Sequence, residues 1–125
     1  MPSILVIDDN DSFRTTICLW LKHHGYEVKQ AANGKIAMGM LAPPPDVILT
    51  DILMPEQDGL ETIQAVRKQS PDMKIIAMSG GMLDGRVDFL PLAEKFGADE
   101  VMHKPFSGSE LLLALEKLLG TPPPK

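Results

Sequence analysis

The stretch Asp46-Val-Ile-Leu-Thr-Asp51-Ile-Leu-Met-Pro-Glu-Gln-Asp58-Gly59 decides how this chain folds. Val47, Ile48, Leu49 and Thr50 run without interruption into Asp51, and turn residues follow at once. A short apolar run bounded by Pro45-Asp46 on one side and Pro55 and Asp58-Gly59 on the other reads as a buried strand. Asp51 then stands at the carboxyl end of that strand, the edge of an open α/β sheet where ligands bind. A carboxylate is costly to bury unless it is paired, metal-bound or reactive. Taken alone, an aspartate at a strand end is more often a cap or a turn residue. The rest of the chain has to decide between the two.

A chain of 125 residues is the size of one domain with a proper core, and 44% apolar residues is ordinary for a globular protein. The formal charge of −5 argues against non-specific binding to nucleic acid or to an acidic membrane surface. Cys18 is the single cysteine and has no internal partner, which fits a reducing compartment. The apolar run 4–7 is too short for a signal peptide and ends in Asp8-Asp9. No stretch approaches the ~20 apolar residues of a membrane span. A cytoplasmic location without membrane or direct nucleic-acid contact is the expectation. The chain shows no internal repeat and no Cys/His spacing suited to zinc.

Ile4-Leu-Val-Ile7 is a second buried-strand pattern, and it too ends in carboxylates, Asp8-Asp9-Asn10-Asp11. Asn10 or Asp11 caps a helix with Phe13, Ile17 and Leu21 on one face and Gly25 at its end. His23 and His24 fall in its last turn, where they suit the helix dipole better than a metal, because adjacent residues face different ways. Residues 26–31 read as a short strand, 35–41 as a helix, and 59–69 as a helix with Leu60, Ile63 and Val66 inward. Residues 74–79 read as a strand ending in Ser79-Gly80, and 88–96 as a helix with Pro91 in its first turn. The Met82–Val87 loop before that helix adjoins Ser79 and reads as a partner surface. A last strand, 100–103, runs into Lys104-Pro105. Ser107 and Glu110 form a capping box for a final helix carrying Leu111, Leu112, Leu115, Leu118 and Leu119. The methionines read as core filling, Cys18 and Trp20 as partly core, and His103 as a partly exposed strand residue. Strand and helix alternate five times, which implies a parallel sheet with helices on both faces.

In such a sheet all carboxyl ends share one edge. That edge gathers Asp8, Asp9, Asp51, Ser79 and Lys104. Clustered carboxylates repel one another unless a cation sits among them. Mg²⁺, held by oxygen ligands and commonly by one or two carboxylates, suits the set. A carboxylate is also a nucleophile towards phosphorus, and phosphoryl transfer needs positive charge about the equatorial oxygens. Mg²⁺ and Lys104 supply that charge. Ser79 can donate a hydrogen bond to a phosphoryl oxygen, and Gly80 lets the backbone come close. Pro105 fixes the turn that aims Lys104, and an X-Pro bond alone permits a cis form at modest cost.

The residues Asp8-Asp9, Asp51 with Met54-Pro55 and Asp58-Gly59, Ser79-Gly80, and Lys104-Pro105-Phe106, with Gly97-Ala98-Asp99, resemble the receiver domain of bacterial two-component response regulators. The likeness runs from Ser3 to about Leu119, and five weak motifs in order make a specific one. It implies a flavodoxin-like (βα)5 fold, a doubly wound parallel sheet of strand order 2-1-3-4-5 in three α/β/α layers. It implies that Asp51 accepts a phosphoryl group from a histidine kinase, a histidine phosphotransfer protein or a small phosphodonor. Asp9, Asp51 and the Leu53 carbonyl would ligate Mg²⁺ directly, and Asp8 would act mainly through a bound water. Lys104 would pair with Asp51 at rest and with the phosphoryl group afterwards, while Ser79 moves towards it. The domain would signal to a downstream protein or a fused output domain rather than turn over a substrate as an enzyme. Its expected span is 1–120, with 121–125 a proline-rich tail or the start of a linker.

Val101 departs from the family, which usually carries Tyr or Phe three residues before the lysine as a rotating switch. The expectation is that signalling through that face is altered, or that it uses other residues such as Met102, His103 or the Gly80–Val87 loop. Leu53 and Gly81 stand where receivers tune dephosphorylation, and neither offers a polar group to orient water, which implies a long-lived aspartyl phosphate. A Mg²⁺-dependent phosphohydrolase using the same aspartate is the alternative. Hydrolases of the haloacid-dehalogenase type carry a second Asp where this chain has Leu53. A flavin-binding flavodoxin would need a phosphate loop where Asp8-Asp9-Asn10-Asp11 would repel it.

Overall fold

The computed structural model describes residues 2–52, 59–79, 94–95, 97–104 and 106–120. The elements in chain order are β1 (Ser3–Ile7), α1 (Asp11–His23), β2 (Glu27–Ala31), α2 (Gly34–Met38), β3 (Val47–Asp51), α3 (Gly59–Gln69), β4 (Lys74–Ser79), β5 (Glu100–His103) and α4 (Gly108–Leu119). The five strands are all parallel, in the order β2-β1-β3-β4-β5. The parallel sheet is the one that the alternating pattern implies, and its strand order is that of the flavodoxin-like fold implied by the resemblance to receiver domains. The expected loop 80–87, most of the expected helix 88–96, the turn 53–58, Pro105 and the tail 121–125 lie outside the described residues. Glu94 and Lys95, within the expected helix, are helical.

Successive strand residues point to opposite faces, and each face carries its own core. Ile4, Val6, Val47, Leu49, Ile76, Met78 and Met102 pack with Cys18 and Leu21 of α1 and with Leu111 and Leu115 of α4. Leu5, Ile7, Ile48, Ile75 and Ala77 pack with Ala37 of α2 and with Ile63 and Val66 of α3. The sheet therefore lies between two helical layers. Both faces are buried at its centre, which is why β1, β3 and β4 carry unbroken apolar runs, whereas the edge strands β2 and β5 are polar and half exposed.

Polar residues fix the helix ends. The Asn10 side chain accepts from the Phe13 N–H, the Asn33 side chain from the Ile36 N–H, and Ser107 with Glu110 closes a capping box. Of the boundaries that differ from the periodicity, two have a cause in the backbone hydrogen bonds. The α2 helix stops at Met38 rather than at 41, because Gly39 is its cap and the N–H groups of Gly39 and Met40 reach back only three residues, to the Ile36 and Ala37 carbonyls. The β2 strand begins at Glu27, because the Tyr26 N–H is bonded to the Leu21 carbonyl at the end of α1.

Candidate functional site

Asp8 follows β1, Asp51 ends β3, Ser79 ends β4 and Lys104 follows β5. All lie on the carboxyl edge of the sheet. The ladder fixes their neighbourhood: Asp51 is opposite Met78, and Ser79 is opposite His103. The Lys104 N–H donates to the Ser79 carbonyl at 2.7 Å, which carries the β4–β5 pairing one residue further. The structure thus brings together Asp8, Asp9, Asp51, Ser79 and Lys104. Leu53 lies outside the described residues.

Asp8, Asp51 and Ser79 are buried, with 0%, 6% and 1% exposure, whereas Asp9 is exposed. Oxygens of Asp8, Asp9 and Asp51 lie within 4.8 Å of one another. Two buried carboxylates so close need a counter-charge. Lys104 supplies part of it, with Nζ 2.6 Å from Asp8 Oδ2 and 3.6 Å from Asp51 Oδ2. The lysine therefore reaches Asp51, the pair the resemblance implied, as a longer ion pair, and bonds more closely to Asp8. The other Asp8 oxygen accepts from the Asn10 N–H at 2.9 Å. Three carboxylates from two strand ends make a compact all-oxygen donor set, and hard oxygen donors fit Mg²⁺.

The surrounding residues hold this edge in place. Arg14 donates to the Asp8 carbonyl at 2.6 Å, to Asp11 Oδ1 at 2.6 Å and to Gln30 Oε1 at 2.8 Å, so one guanidinium ties the end of β1 to α1 and β2. The Ile52 N–H donates to the Met78 carbonyl and the Gly59 N–H to the Ile52 carbonyl. A Cβ on Gly59 would stand 2.2 Å from the Asp51 carbonyl oxygen and 2.3 Å from Ile52 Cα. Only a glycine lets α3 start so close behind the phosphoacceptor candidate. Lys104 Nζ also sits 4.1 Å above the Phe13 ring, and that ring meets Phe106 edge-on at 6.0 Å.

Phe13 and Arg14 were not evident as site residues in the sequence. The available signal was their place in the first turn after Asp8-Asp9, where an inward helical position comes close to that edge. Val101, in place of the usual aromatic, packs partly buried against the core on the α2–α3 face, while Met102 is buried on the other face and His103 is exposed. His24 stacks on Trp20 with ring centroids 4.3 Å apart, and its Nδ1 lies 3.0 Å from the Trp20 carbonyl. That arrangement is the helix-end reading rather than a metal site. Among the described residues no helix is long and apolar enough to cross a membrane.

A buried aspartate at the centre of a five-stranded parallel sheet, flanked by two acidic residues, a hydroxyl and a lysine, defines a class of phosphoryl-accepting α/β domains. The family model of the response regulator receiver domain matches residues 4–116. The chain belongs to that family. It is 36% identical over 124 residues to the DNA-binding transcriptional regulator NtrC of Azospirillum brasilense, covering 97% of this chain and 25% of that protein. It therefore spans only a quarter of that relative's length. Among solved structures it is similar to a response regulator receiver domain protein of Clostridium thermocellum, with TM-score 0.87, 29% identity and coverage of 96% of this chain and 95% of that one. It is also similar to the response regulator TrrA of Thermotoga maritima, solved in complex with Mg²⁺-BeF, with TM-score 0.80, 34% identity and coverage of 94% and 99%.

Proposed function

We propose that Asp51 is the phosphoacceptor of a two-component phosphorelay. The observation that carries this reading is the meeting of a buried Asp51 with Asp8, Asp9 and Lys104 within a few ångströms on one sheet edge. An Asp51 carboxylate oxygen attacks the phosphorus of a phosphohistidine. The P–N bond breaks, its electron pair returns to the imidazole nitrogen, and that nitrogen takes up a proton. Bound Mg²⁺ would neutralise charge on the transferring phosphoryl oxygens. Asp9, Asp51 and the Leu53 carbonyl would hold it, with Asp8 acting through water. Lys104 moves from Asp8 to the phosphoryl group, and Ser79 donates to a phosphoryl oxygen. The new charge on Asp51 then biases a surface elsewhere.

Binding of Mg²⁺-BeF by TrrA, a receiver 34% identical to this chain, supports the same chemistry here. The donor is a histidine kinase or a histidine phosphotransfer protein, and the receiver of the signal is a downstream protein or a fused output domain. The domain covers 1–120, works in the cytoplasm, and acts catalytically only on its own aspartate. The phosphohydrolase alternative draws no support from the family match. Leu53 and Gly81 give no polar side chain to orient water, so the aspartyl phosphate is long-lived. Incubation with labelled phosphohistidine donor and Mg²⁺ tests the reading. Label enters the parent protein, does not enter Asp51→Asn, and outlasts removal of the donor by minutes. Label persisting in Asp51→Asn overturns the assignment, and decay within seconds overturns the lifetime.

A further inference from the structure

We propose that Phe13 is a positioning residue that holds Lys104 on Asp8, so that Lys104 and Mg²⁺ compete for the acidic edge. The inference deepens the reading of Asp8, Asp9 and Asp51 as a Mg²⁺ site and rests on it. Lys104 Nζ has two neighbours of different kinds, the Asp8 carboxylate at 2.6 Å and the Phe13 ring face at 4.1 Å. Asp51 stands further off at 3.6 Å. The ring also makes a T-shaped contact with Phe106 at an interplanar angle of 89°, which favours this orientation. The lysine side chain is only 16% exposed, and a cation–π contact strengthens as water is excluded. Carboxylate and ring together therefore favour the Asp8 position.

An ammonium on Asp8 offsets the charge that would draw a divalent cation, and it repels that cation directly. A divalent cation among Asp8, Asp9 and Asp51 would stand beside this ammonium, and phosphoryl transfer draws Lys104 towards Asp51, so the Phe13 ring sets how readily the domain is charged. Leucine at position 13 would keep apolar volume but offer no negative ring face. Tyrosine would keep the face.

Isothermal titration with MgCl₂ alone, paired with NMR of ¹³C-lysine-labelled protein, tests this. The parent protein shows Lys104 ε-methylene protons shifted upfield by the Phe13 ring. Phe13→Leu loses that shift and binds Mg²⁺ about two- to five-fold more tightly, the factor expected for loss of one cation–π contact. Phe13→Tyr keeps both the shift and the parent affinity. Equal or weaker Mg²⁺ binding by Phe13→Leu overturns the proposal. So does a Phe13→Tyr protein that behaves like Phe13→Leu, since packing rather than the ring face would then be responsible. A parent protein with the upfield shift that takes up no Mg²⁺ defeats the competition through the metal site, whereas a parent without the shift defeats it at Phe13.

Discussion

Asp9 is the exposed member of the acidic cluster, while Asp8 and Asp51 are buried and share Lys104. The three repel one another whenever no divalent cation is present. Asp9→Asn removes a charge from that cluster and leaves the Asn10–Asp8–Lys104 bonds intact. The variant is expected to be more stable than the parent in EDTA and to lose the extra stability that Mg²⁺ confers on the parent. Urea unfolding with and without Mg²⁺ reads both effects, and a variant less stable in EDTA contradicts the account. At this scale Asp8, Asp9, Asp51, Ser79 and Lys104 were legible, because each is a polar residue ending or following an apolar strand. Phe13 was not legible as a partner of Lys104. The same spacing that puts it on the inner face of α1 also describes an ordinary core residue, and its lysine lies at the far end of the sequence.

The edge strand β5 is four residues long and pairs with β4 alone. Arg67, at the end of α3, secures its approach. Its guanidinium donates to the Pro71, Met73 and Gly97 carbonyls and to Asp99 Oδ2, which also accepts from the Ile75 N–H. Gly97 has φ +124°, and a Cβ there would lie 3.1 Å from Arg67 Nε, so the turn and the arginine fit only together. Arg67→Ala leaves several carbonyls without a donor and is expected to cost about 2–4 kcal/mol. Arg67→Lys recovers little, because an ammonium lacks the planar fork. Urea denaturation measures both, and a loss below about 0.5 kcal/mol for Arg67→Ala would deny the clamp its role. The sequence showed Arg67 only as a basic residue near a helix end. The strand runs and the capping box were legible because they are local. The early stop of α2 was not, because Met38, Met40 and Leu41 suggest continuation and a single glycine ends it.

Across the whole molecule, the α1–α4 side of the sheet closes over Tyr26, the only tyrosine. Burial, and then the nearby Glu116 carboxylate, raise its pKa above the ordinary 10.0. A raised pKa in the folded state means the native protein holds this proton more firmly than the unfolded chain does. The associated stability is present below pH 10.0 and is lost as pH rises through the native pKa. Absorbance titration of the native protein should give a tyrosinate midpoint above 10.0, falling to the ordinary value in urea. A native midpoint at or below 10.0 would mean that the seam is open to water.

The parallel sheet and the gathering of charges on one edge followed from strand–helix alternation, which is a property of the whole chain, whereas the strand order followed from the resemblance to receiver domains. The central claim about that edge is that Asp51 carries the phosphoryl group with help from Mg²⁺. Borohydride reduction of protein treated with acetyl phosphate, followed by peptide mass spectrometry, tests it most directly, because an aspartyl phosphate is converted to homoserine. Homoserine is expected at position 51 alone, in Mg²⁺ and not in EDTA. Homoserine at another position, or equal conversion without a divalent cation, would contradict it.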